Sequence, residues 1–346
     1  MEQTAVEKKF GKYVMASMIT MFLQSAYSMI DGLFVSNLIG DTALSAVNVA
    51  WPIIAVVTAI GTGVGCGGAV MMSTKQGEGK NEESNIVRAN VILALLASSI
   101  VVTILFLILL TPLLKLMGAE GELLRLSQIY GRVMLTGGVL QILSCGLTPL
   151  LRNDNRAVSA MMIMVGGLFA NLGLDFVFMY VFHMGIGGAA GASLCAQLFT
   201  TVCCLMILCT KKTDPIRLSQ FMIRKEYWKK IFKTAVSPFG ISLTPSLLIL
   251  YHNVACLKFG GDLAVNAYAL ISSTVGSYRV LLIGVAEGIQ PLASYAYGAH
   301  DFHAIRKIRN KAVITAMGVS FFLFIFTIAT ARFYPAIYGD RKSTRL

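Results

Sequence analysis

Asp31 and Asp175 lie inside long apolar stretches, each about seven residues before the stretch ends. A charge buried in an apolar medium costs several kilocalories, so an acid in such a place is a candidate for function by default. Asn171 stands four residues before Asp175, and Gln24, Tyr27 and Asp31 recur at helical spacing, so each set shares one helix face. At 1.5 Å per residue, both acids sit roughly 10 Å below the same surface. Ser193, in the next apolar stretch and running the other way, reaches that level. Two carboxylates, an amide oxygen and a hydroxyl at one depth form a pocket of hard oxygen ligands. Such a pocket can bind Na⁺, or it can take up and release protons. The coupling ion is therefore H⁺ or Na⁺, and no bound cofactor is expected.

Other polar residues lie along the same path. A shift of 221 residues carries Asp31 onto His252, beside Asn253. His252 reads either as a satisfied core residue or as a proton carrier. Arg279 lies deep in an apolar stretch, with Glu287 nearer its far end. The two form either a structural pair or a place where Glu287 draws in cations. Gly61, Gly63, Gly65, Gly67 and Gly68 imitate a nucleotide-binding loop, but no strand precedes them, so they read as close helix packing. Pro52, Pro238, Pro245 and Pro291 fall within apolar stretches as candidate bends. The seven cysteines also fall in apolar stretches without a C-x-x-C pair, which speaks against a metal or redox centre.

The elements that hold these residues follow from composition. The chain has 346 residues, 56% of them hydrophobic and 13% charged, with a mean hydropathy of +0.71. About a quarter charged is usual for a soluble domain. The sequence predicts an all-α polytopic membrane protein with spans near 13–38, 43–73, 87–114, 126–150, 157–182, 186–209, 231–258, 263–297 and 312–334. The formal charge of +12 is concentrated in alternate connections. Lys8, Lys9 and Lys12 come first, then Lys75, Lys80 and Arg88, then Arg152 and Arg156. The series continues with Lys211 to Lys230 and ends with Arg306 to Lys311. By the positive-inside rule the N-terminus is cytoplasmic, and the charge marks topology, not nucleic-acid binding.

The 221-residue shift also exposes an internal repeat. It matches ten residues between 40 and 88, among them Gly40-Asp41 with Gly261-Asp262, Gly63 with Gly284, Gly67 with Gly288, Gly77 with Gly298 and Arg88 with Arg309. Six spans per copy give two parallel-repeat helical lobes. The expected divisions are an N-terminal segment 1–12, a six-helix lobe 13–210, a basic inter-lobe loop 211–230 and a second lobe 231–334 of about three helices. On this reading a whole protein has twelve spans and this chain is shortened, the alternative being a natural nine-span protein; the basic tail 335–346 falls on the wrong side for the positive-inside rule, as non-native residues would.

Several stretches then resemble the multidrug and toxic compound extrusion (MATE) family. They are Tyr27-Ser28-Met29-Ile30-Asp31-Gly32-Leu33-Phe34-Val35 and Gly77-Glu78-Gly79-Lys80. The most specific runs from Asn171-Leu172-Gly173-Leu174-Asp175 to Gly185-Ile186-Gly187-Gly188. In the second half, Gly288-Ile289-Gln290-Pro291-Leu292 and Tyr297-Gly298-Ala299 also match the family pattern. The resemblance implies an antiporter in a bacterial cytoplasmic membrane that exchanges small, cationic organic compounds for H⁺ or Na⁺ as a monomer. It places the family's cation site on Asp31, Asn171, Asp175 and Ser193. The sequence departs from the pattern at Ala16, near a usual proline, and at Ser36, in place of a usual glycine. Its seventh span also lacks an acid that some relatives use for Na⁺. Three rivals stand beside it. A lipid-linked precursor flippase needs a basic cavity, an intramembrane enzyme needs a catalytic set that is missing, and a channel is separated from an antiporter by gradient-driven uptake of a fluorescent cation.

Overall fold

The structure is a computed structural model and describes residues 3–210 and 220–330; the side chains of several residues inside helices, Tyr27 and Asn253 among them, lie outside the described set. So does the tail 335–346. Among the described residues every regular element is helical. The helices are α1 (Gln3–Leu38), α2 (Asp41–Gly77), α3 (Asn81–Leu116), α4 (Gly121–Thr136), α5 (Gly138–Asn153), α6 (Ala157–Asp175), α7 (Gly185–Cys209), α8 (Lys225–Gly298) and α9 (Phe302–Thr330). A π-helical turn, Phe176–Val181, continues α6. Among the described residues six helices have the length and hydropathy to cross a membrane, and α4 with α5 form a bent pair that together meets the same test. This is a multi-pass membrane protein.

Three differences from the sequence reading concern the helices themselves. The expected span 126–150 is two helices that meet at 58°. Gly137 and Gly138 form the joint, because side chains occupy the space where their own would stand: Leu194 at Gly137 and the Thr103 hydroxyl at Gly138. The bend frees the Met134 carbonyl, which accepts a hydrogen bond from the Gln141 amide. Lys225 to Lys230, read as loop, already belong to α8.

The third difference is that helical backbone continues through Gly260-Gly261-Asp262, where the sequence places a turn. A straight helix of 74 residues would measure about 110 Å and separate His252 from Tyr268 by about 24 Å. Their rings instead stack with centroids 5.0 Å apart. Helix α8 thus folds back near residue 260 into two antiparallel limbs. Both limbs return to α2. Ala235 of the first packs on Gly67, and Tyr295 of the second packs on Gly77.

Glycines set the packing of α2. Gly61 and Gly65 admit the backbone of α5 at Ile142 and Gly146, so closely that a methyl at Gly61 would stand 2.6 Å from the Ile142 carbonyl oxygen. Gly63 and Gly67 lie two residues on and meet the first limb of α8 at Phe239 and Ala235. The contacts between the halves are reciprocal. Gly63 meets Phe239, and Gly284 meets Met18; Gly67 meets Ala235, and Gly288 meets Val14; Gly77 meets Tyr295, and Gly298 meets Thr74. Each second pair is the first with 221 added to the glycine and subtracted from its partner. This is the pattern of an isologous interface about a two-fold axis, written within one chain.

The last of these approaches, at Gly77 and Gly298, lies at the end of the bundle that carries Lys75, Lys80 and Arg156, called here the basic end. Its turn is held by ion pairs from Lys75 and Lys80 to Glu78 at 2.8 and 3.0 Å. Hydrogen bonds from these lysines hold the Glu78 carboxyl below the usual carboxylate range. Further along, Phe22 and Ile30 of α1, Trp51 of α2 and Leu247 to Ile249 of α8 are exposed.

Candidate functional site

Helices α1 and α6 bring the two acids together at the end opposite the basic one. Asp31 is half-buried and its carboxyl lies within hydrogen-bonding reach of Asp175. Asp175 is fully buried, and its Oδ2 accepts a hydrogen bond from Asn171 Nδ2 at 3.0 Å, one turn earlier on α6. The register follows from local structure. Asp175 is the last α-helical residue before the π turn, where Phe182 N–H donates to the Val177 carbonyl at 2.9 Å. The wider turn changes the helix face at that residue, and π turns of this kind recur at functional sites.

Sequence reasoning missed Tyr130. It is a buried residue of α4 whose phenol lies within electrostatic reach of both Asp31 and Asp175. A signal was available, because Tyr130 lies nine residues into a helix that starts at Gly121. At 1.5 Å per residue that is about 13 Å from the same surface as the acids.

Asp31 Oδ1 is buried and has no hydrogen-bond partner among the described residues. A buried carboxylate oxygen in that condition calls for a proton or a cation. Two ionised carboxylates at hydrogen-bonding distance repel each other, and a single positive charge between them removes the repulsion. Among the described residues no group of three or more His, Cys, Asp and Glu side chains is poised to hold a metal.

The remaining sequence candidates separate from this cluster. Ser193 is half-buried on α7, next to Leu194, which fills the α4–α5 bend, and no hydrogen bond joins it to either acid. Gln24 is exposed on α1. His252 is exposed as well; its Nδ1 lies 2.7 Å from the Leu248 carbonyl, and its ring stacks on Tyr268. Arg279 is exposed on the second limb of α8.

Glu287 pairs with Arg152, at 2.5 Å, and not with Arg279. The sequence counted Arg152 and Arg88 as loop charges, but both are buried in helices. Arg88 Nη2 donates to Asp154 Oδ1 at 3.2 Å, and Gln76 Nε2 donates to the same oxygen at 3.0 Å. Tyr13 donates to Asn155 Oδ1 at 2.6 Å. A cavity of about 540 Å³ lies beside these groups at the basic end, lined from both halves by Tyr13, Asp154, Tyr295 and Asp301.

Comparison with known proteins gives a consistent result. The MatE family model matches residues 16–177 and 241–344, one segment in each of the stretches that the 221-residue shift relates. The multidrug export protein MepA of Staphylococcus aureus is 24% identical over 335 residues, which is 95% of this chain and 72% of that protein. MepA of Staphylococcus saprophyticus is 24% identical over 98% of this chain and 75% of its own length. Among solved structures, an outward-facing multidrug resistance MATE transporter superposes with a TM-score of 0.91 at 25% identity, over 98% of this chain and 75% of that one. A transporter of the MOP superfamily from Pyrococcus furiosus gives 0.92 at 24% identity, over 98% and 75%. The matched segments cover well over half of the sequence, and this chain belongs to the MatE family, the multidrug and toxic compound extrusion proteins.

Proposed function

We propose that this protein works in multidrug efflux as a cation-coupled antiporter, exchanging small organic cations for H⁺ or Na⁺ by alternating access. The observation that carries the reading is the meeting of Asp31 and Asp175, from separate helices, within hydrogen-bonding reach in the apolar part of the first half. A pair of acids there discriminates between two states. Empty, the carboxylates repel; with a proton or Na⁺ between them, the helices α1 and α6 can close on it. An organic cation offers a competing source of positive charge. Ion and substrate then displace each other because each favours a different arrangement of the halves. Asn171 fixes the orientation of Asp175, and Tyr130 places a phenol within electrostatic reach of both acids. The export activity of the MepA relatives supports the direction of transport.

The test is Asp31→Asn, which removes a charge with little change of volume. In bacterial cells stripped of their own pumps, the substitution should abolish resistance to cationic dyes and drugs while membrane insertion stays normal. Resistance that survives it would overturn the reading. In vesicles, uptake of a fluorescent organic cation driven by an imposed pH gradient, and separately by a Na⁺ gradient, identifies the coupling ion.

A further inference from the structure

Arg152 and Glu287 come from opposite halves of the molecule and meet at the end where those halves touch. Arg152, near the end of α5, has a side chain only 7% exposed, and that of Glu287 is 23% exposed. Arg152 Nη1 also reaches Ser17 Oγ of α1 at 3.5 Å. The Cys66 thiol lies within electrostatic reach of both charges and within hydrogen-bonding reach of Gln290. Adding 221 to 66 gives 287, so Cys66 and Glu287 are equivalent positions in the two copies of the repeat. Equivalent positions approach each other only close to the axis that relates the copies. One copy offers a thiol there and the other a carboxylate, and Arg152 pairs with the carboxylate. The ion pair therefore departs from the symmetry of the glycine contacts around it.

The physical character of the pair differs from those contacts too. Glycine-on-backbone packing is apolar and adjusts gradually as two surfaces separate. A buried ion pair has two good states, paired in the dry interface or separately hydrated, and a poor one between them. The cavity beside Tyr13, Asn155 and Tyr295 brings solvent space close to this part of the interface. We infer that Arg152 and Glu287 form a latch for the state closed at the basic end. Their ion pair ties the halves together, and it separates into water when the halves part there. This rests on the alternating-access reading for its purpose, but its test does not use transport.

Hydrogen–deuterium exchange on the whole chain in lipid nanodiscs reads the latch directly. Glu287→Gln should speed exchange across residues 10–18 and 284–298 on the order of tenfold, because it leaves Arg152 without its partner. Residues 86–95 of α3, buried within the first half, should keep their wild-type rates. Glu287→Asp, which retains the charge on a shorter side chain, should give an intermediate value and carries the test if Gln prevents folding. The exchanged pair, Arg152→Glu with Glu287→Arg, should return the interface toward wild-type protection. Unchanged exchange at 284–298 in Glu287→Gln would overturn the latch. Equal loosening of 86–95 would overturn it as well, by showing a general structural role. Failure of gradient-driven uptake bears on the antiporter reading and leaves these rates as they are.

Discussion

Tyr130 and His252 show how a residue's surroundings, more than its type, decide its role. The Tyr130 ring is buried in the first-half core, and its phenol lies within electrostatic reach of the acid pair. Tyr130→Phe keeps the packing and removes only the oxygen. Removing a polar group within electrostatic reach of both acids should lower ion-driven efflux while the melting temperature barely moves. His252 satisfies its Nδ1 on a carbonyl one turn back and its ring on Tyr268. His252→Phe should preserve the stack and leave efflux unchanged; a large loss would show that the imidazole carries protons. The acids were legible in the sequence because a carboxylate in an apolar run is anomalous wherever it falls. Tyr130 was signalled only by its depth in α4, because tyrosine is ordinary near membrane surfaces and gives no such contrast by type. Arg88 and Arg152 were misread for the opposite reason. Basic residues at span ends have a standard explanation in topology, and sequence has no means of showing that Asp154 and Glu287 wait for them.

At the level of elements, the hydropathy of 126–150 describes a cost of transfer and says nothing about direction, so the 58° bend within it was invisible. Prolines were the expected source of bends, yet this joint is made of glycines whose side-chain space is already taken. A methyl on Gly138 would overlap the Thr103 hydroxyl, an oxygen buried without a partner among the described residues. Gly138→Ala should therefore destabilise the protein by roughly 1–3 kcal/mol, the usual scale for overpacking. Thr103→Ala removes that oxygen and should recover most of the loss when combined with it. Thermal unfolding of the two single variants and the double closes the cycle, and simple additivity would show that the contact does not hold the bend. The reversal within α8 was easier to anticipate, because Gly260-Gly261-Asp262 repeats the turn at Gly40-Asp41 under the 221-residue shift.

For the whole molecule, the repeat was detectable as ten matches among many mismatches, and the structure explains where several of the matches fall. Gly63, Gly67 and Gly77, with their counterparts Gly284, Gly288 and Gly298, are the places where the backbone of one half meets the other. A side chain at any of them would hold the halves apart, whereas neighbouring positions only need to be apolar and so drift freely. Gly77 lies against the Tyr295 carbonyl and Gly298 against the Thr74 carbonyl, each closer than an added methyl could tolerate. A reciprocal interface makes a quantitative demand. Gly77→Ala and Gly298→Ala should lower stability by similar amounts, roughly 1–3 kcal/mol each, and both should accelerate exchange at the basic end. Gly173→Ala, with nothing within 4 Å of the added methyl, is the matched control and should be nearly silent. If one of the interface substitutions were harmless and its counterpart severe, the halves would not be packed by a common rule, and the two-fold relation would be a coincidence of sequence. Comparable losses would instead show that closure at this end is shared between the copies, with the Arg152–Glu287 pair as its asymmetric addition.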